Sequence, residues 1–226
     1  MVEITVCGHA VRRASAERAS VTVRSRWSAP SAEAAMRAVA EAHERLVADA
    51  RAHAATGAAE SWHADRIWIA HHREWVGEGQ PPRSVYTAEA AVTVRFVDVE
   101  ALGAWMVAVG VHETHEVGGV EWSLTEETER DLAKAARALA IADAVERAGD
   151  YAAAAGLSTP TVAAIQEPGT AAQPAPAGKA RREMAALSDT GGAPPVSLAA
   201  GELEVRAAVE VRFVAEPQRH AVGTGG

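Results

Sequence analysis

Apolar and polar residues alternate along several stretches of the chain, and each alternation predicts a strand with one buried face. Val2, Ile4 and Val6 interleave with Glu3, Thr5 and Cys7 before Gly8, and Ala19, Val21 and Val23 interleave with Ser20, Thr22 and Arg24. Longer runs follow at 86–96, from Tyr86 to Phe96, and at 203–213, from Leu203 to Phe213. Shorter strands are predicted around Val120, Trp122 and Leu124, and at 161–166. Between 62 and 76 the apolar residues fall on both sides, Trp68 and Ala70 on one, Ile67 and Ile69 on the other. That pattern predicts a strand covered on two faces, joined by the turn at 77–82 to an antiparallel hairpin partner at 86–96.

Spacings of three and four replace the alternation elsewhere and predict three helices. One runs over about 29–56, begun by Ser28 or Ser31, stopped by Gly57, and apolar at Met36, Val39, His43, Leu46, Val47, Ala50 and Ala54. A short one at about 98–109 is capped by Asp98 and carries Leu102, Trp105, Met106 and Val109. The third, at about 125–156, has Thr125 as cap, Glu126, Glu127 and Glu129 at the positive end of the helix dipole, and Gly156 as its stop. Its small residues Ala135, Ala138, Ala142, Val145, Gly149 and Ala152 form one stripe, which predicts close packing and a compensated glycine at Gly149.

The sum is an α+β fold, mostly antiparallel sheet packed by two long helices and one short one, with 1–215 as a single domain. The segment 168–200 is rich in Ala, Gly and Pro and reads as a long loop of that domain, because the alternating strand after it needs a sheet to join. Residues 216–226 read as a disordered tail.

Charge narrows the partners. Asp and Glu number 30 against 22 Lys and Arg, for a net charge of −8. Nucleic acid and anionic membrane both need a basic footprint, so neither is expected as a partner. The single cysteine, Cys7, rules out an internal disulfide, and its place in a strand suggests a half-buried structural thiol. The opening residues read as strand rather than as a signal peptide, so a cytoplasmic location is expected.

Candidate chemistry is sparse. His112-Glu113-Thr114-His115-Glu116 is the densest group of ligands, but its histidines are three apart and lie in a predicted loop. Two imidazoles supply only part of a metal's coordination, so His112 and His115 remain weak candidates and no cofactor is expected. His43 reads as a core histidine bonded to one polar neighbour. There is no nucleophile elbow, phosphate-binding glycine loop or dinucleotide fingerprint, and no catalytic residues are assigned. Six tryptophans against two Phe and two Tyr can serve a core or an interface equally well, and Trp62, Trp68 and Trp75 are the interface candidates, with core packing as the alternative.

The order of Gly8-His9-Ala10, Tyr86-Thr87-Ala88, Gly119 to Leu124, Tyr151 to Leu157, Ile165 to Gly169 and Gly201 to Phe213 resembles the SIMPL domain family over about residues 2–215. The resemblance implies long helices against antiparallel sheet, a tendency to oligomerise, and no established catalytic residues. It also implies relatives that are exported and tied to oxidative-stress defence in bacteria, or that bind a signalling kinase in animals. The expected function is therefore a non-enzymatic, self-associating homo-oligomer acting as a scaffold or interaction module, with a link to stress response. The alternative is a small-molecule or metal-binding protein.

Overall fold

The computed structural model describes residues 1–77, 80–167 and 200–218. In order, its elements are β1 (Val2–Ser15), β2 (Arg18–Ala29), α1 (Ala32–Ala55), β3 (Ala59–Ala64), β4 (Trp68–Glu74), β5 (Arg83–Phe96), α2 (Val99–Gly110), β6 (His115–Ser123), α3 (Glu126–Ala154), β7 (Thr161–Gln166) and β8 (Glu202–Ala215). Every strand pairing among them is antiparallel, and the fold is α+β. The span 1–215 holds two compact units: β1, α3, β7 and β8 form one, and β2 to β6 with α1 and α2 form the other. The loop expected at 168–200 and the end of the tail fall almost wholly outside the described residues.

In the first unit the two ends of the chain pair along their whole length, from Val2 opposite Ala215 to Ser15 opposite Glu202. The sheet order is β1-β8-β7. Alternation puts Val6, Val209, Val211 and Phe213 on one face, and α3 covers it with Ala140, Ala144 and Ala148. The Thr125 hydroxyl accepts from the Thr128 backbone N–H at 3.2 Å to start the helix, and Gly156 ends it at φ +67.

The buried row of α3 is Ala136, Ala140, Ala144, Ala148 and Ala152, not the stripe read from spacing. Of that stripe only Ala152 is buried, while Ala138, Ala142 and Val145 are exposed. Two alanine rows a residue apart look alike by periodicity, and the choice between them is made by the sheet. A four-residue repeat forms a ridge inclined to the helix axis, and it seats on Gly8 of β1. A Cβ at Gly8 would stand 1.9 Å from the Ala140 carbonyl oxygen and 2.9 Å from the Ala144 Cβ. Gly149, by contrast, has nothing within 4 Å of such a Cβ, so the close packing expected there occurs at Gly8 instead. Cys7 is exposed rather than half-buried, because the odd residues of β1 point away from α3.

In the second unit β5 is central to a sheet of order β3-β5-β2-β6. Its even residues Ala88, Ala90, Val92, Val94 and Phe96 are buried. Against this face α1 lays Ala35, Val39, Ala42, Leu46 and Ala50, and α2 adds Leu102, Trp105 and Val109. The Ser31 hydroxyl accepts from the Ala34 N–H at 3.2 Å. The Asp98 carboxylate accepts from the Glu100 and Ala101 N–H groups at 2.9 and 3.1 Å. Met36, expected on the inner face of α1, is exposed; small Ala35 and Ala42 take that side and let the helix lie close.

The strand expected over 62–76 is two strands, β3 and β4, aligned end to end on the same edge of β5. At the joint the Asp65 N–H donates to the Ala91 carbonyl at 2.8 Å. β4 is not covered on two faces: all seven of its residues are exposed. The cause is the reach of α1, which packs on β2, β3 and β5 and leaves the β4 end of the hairpin beyond its cover. Among the described residues, no helix is long and apolar enough to cross a membrane.

Candidate functional site

Both places that the sequence marks for function lie in the second unit. The first is the histidine pair. His115 opens β6 and His112 lies in the turn before it, with ring centroids 5.4 Å apart and edge to face. The His115 Nδ1 is 3.2 Å from the Ser25 hydroxyl. Burial pushes the His115 imidazole below the ordinary histidine range, His112 and Arg45 push the same way, and Asp49 opposes them.

The arrangement can be tested as a catalytic dyad and as a metal centre. Ser25 is fully buried, so its hydroxyl cannot meet a substrate, and the bond to His115 is structural. Among the described residues no three His, Cys, Asp or Glu side chains gather to hold a metal ion. Sequence reasoning missed that Asp49 and Arg45 of α1 act on His115, and that the Trp105 indole N–H donates to Asp49 at 3.3 Å. These groups come from separate elements, and no spacing in the chain signals their meeting.

Close by, the ends of α1 and α2 border an open depression of about 540 Å³ lined by His53, Thr56, Gly57 and Asp98. His53 lies edge-on to Phe96, with centroids 5.2 Å apart. Asp98 is engaged in capping α2. His43 of α1 is partly buried; desolvation pulls it below the ordinary histidine range, opposed by the charge of Asp65 and a hydrogen bond with its backbone. Among the described residues its Nδ1 has no hydrogen-bond partner.

The second place is the edge made by β4. Trp62 does not belong to it: that ring is partly buried against the core, with the Arg51 guanidinium 5.6 Å above it. Trp68 and Trp75 do, at 52% and 58% exposed, together with Ile69 at 37% and Val76 at 40%. Register sets Ile69 beside Ala88, and Ala88 beside Trp27, which is itself 38% exposed. On the other face His72, Glu74, Arg83 and Ser28 line a depression of about 370 Å³, where Arg83 and Glu74 form an ion pair at 3.0 Å. His71 lies against Tyr86, with centroids 5.5 Å apart. Among the described residues β4 pairs with β5 alone, so its outer row of backbone groups is open. Exposed apolar side chains thus lie beside a strand edge that is open among the described residues.

No curated protein matches the chain. The family described as SIMPL, Protein of unknown function (DUF541), matches residues 4–213 and so spans both compact units, and the chain belongs to that family.

Proposed function

We propose that this protein is a non-enzymatic, self-associating scaffold that acts by presenting a surface, with the β4 edge as its principal contact. The observation that carries the reading is the exposure of all seven residues of β4, which begins at Trp68 and is followed by exposed Trp75. Trp68 and Trp75, at 52% and 58% exposed, each forgo about half of the gain of full burial, which is roughly 1.5–3 kcal/mol for a large apolar side chain. Two such side chains on one open edge are best accounted for by a covering partner. Supporting the non-enzymatic part, the Ser25–His115 contact has its hydroxyl fully buried, away from any substrate. A part in stress defence belongs to the same proposal and rests on the family resemblance.

Light scattering on the purified chain over the micromolar range tests this. The expected result is a mass at a multiple of 23.6 kDa, falling on dilution. A constant monomer mass across that range would overturn the reading.

A further inference from the structure

We propose that β4 pairs antiparallel with β4 of a second copy of this chain, about a twofold axis through His72. The inference rests on the self-association proposed above and names its surface. Residues 68–76 read Trp-Ile-Ala-His-His-Arg-Glu-Trp-Val, with the apolar pairs Trp68-Ile69 and Trp75-Val76 equally far from His72. Between those ends Ala70 is apolar, and His71, His72, Arg73 and Glu74 are polar.

An antiparallel twofold pairing reads such a pattern directly. It sets Trp68 opposite Val76 and Ile69 opposite Trp75, and the symmetry makes each pair twice. Opposed residues share a face of the sheet and successive residues alternate. Continued through Trp75 and Val76, just past the end of β4, the alternation keeps Trp68, His72 and Val76 on one face and Ile69 and Trp75 on the other. Glu74 stands opposite Ala70 and diagonal to the second copy's His72, within reach of a favourable contact between carboxylate and imidazole. Other centres lose these matches. Centring on His71 sets Ile69 against Arg73 and Trp68 against Glu74. Centring on Ala70 carries Trp75 and Val76 past the end of the second copy's strand.

The edge itself is fit for this partner. Monomeric proteins blunt exposed edges with charged side chains, above all lysine, or with proline, bulges or covering segments, and the charged residues of β4 are Arg73 and Glu74 near its end. β4 contains neither lysine nor proline, and its register on β5 runs unbroken from Trp68 opposite Glu89 to Glu74 opposite Arg83.

Disulfide trapping decides the register. In a Cys7→Ser background, His72→Cys chains are oxidised under mild conditions beside Ile69→Cys chains. Opposed residues of an antiparallel pair have Cα atoms about 4.5–5.5 Å apart, within disulfide range. His72→Cys is therefore expected to give a covalent dimer. Ile69→Cys is expected not to, because its counterpart lies six residues away along the strand, roughly 20 Å. A mixture of Ile69→Cys and Trp75→Cys chains is expected to cross-link, and it also serves if the His72 variant folds poorly. Light scattering on the same background separates the two levels. Oligomers in which neither the His72→Cys chain nor the mixture cross-links, or in which Ile69→Cys links as readily, would overturn this pairing and leave self-association standing. A monomer would overturn both.

Discussion

Gly8 and Gly149 make opposite demands on the fold. At Gly8 a methyl group would collide with the backbone of α3, since its nearest neighbour is the Ala140 carbonyl oxygen, and backbone cannot swing aside as a side-chain tip can. Gly8→Ala is therefore expected to destabilise the protein by about 1–3 kcal/mol, the usual cost of overpacking. Gly149 lies inside α3 with open space around it. Gly149→Ala is expected to stabilise by about 0.5–1 kcal/mol, because alanine loses less freedom in a helix. Denaturant unfolding of the two variants checks both signs. Sequence alone reads this pair the wrong way round, since a glycine amid alanines in a helix looks like a contact point. The true contact is set by which alanine row meets the sheet, a choice made through residues more than a hundred positions apart.

Helices and strands differ in how much of their environment they announce. The ends of α1, α2 and α3 are legible because Ser31, Asp98 and Thr125 are local caps. The strands β2, β5 and β8 are legible because one face is wet. Residues 62–76 are not, because apolar residues on both sides fit a doubly covered strand and a bare edge equally well; only the reach of α1 decides. The histidine group is illegible for a related reason, since His43 of α1 and His115 of β6 acquire their surroundings only after α1 docks. Both imidazoles are lowered from the ordinary histidine value, desolvation being the largest cause. Between the folded values and the ordinary value near ~6.5, the unfolded chain binds more protons than the folded one. Their contribution to stability is thus complete above that ordinary value and is lost as pH falls toward the folded values. Thermal melting followed from about pH 8 to about pH 5 is expected to show a falling midpoint. The double variant H43Q/H115Q, which cannot take up those protons, is expected to flatten the acid limb; an unchanged slope would contradict this assignment.

Among the described residues β1 and β8 pair along their whole length while β4 pairs with β5 alone, and the proposed function depends on that open strand finding a partner. Half of the β4 amides bond β5, and the other half point outward, where solvent exchanges them freely unless another strand covers them. Amide hydrogen exchange of residues 68–76, recorded at increasing protein concentration, reads that cover directly. The account predicts protection of these amides that grows with concentration, while the amides of buried β5 stay protected throughout. Exchange at β4 that is equally fast at every concentration, or protection that persists in the dilute monomer, would contradict it.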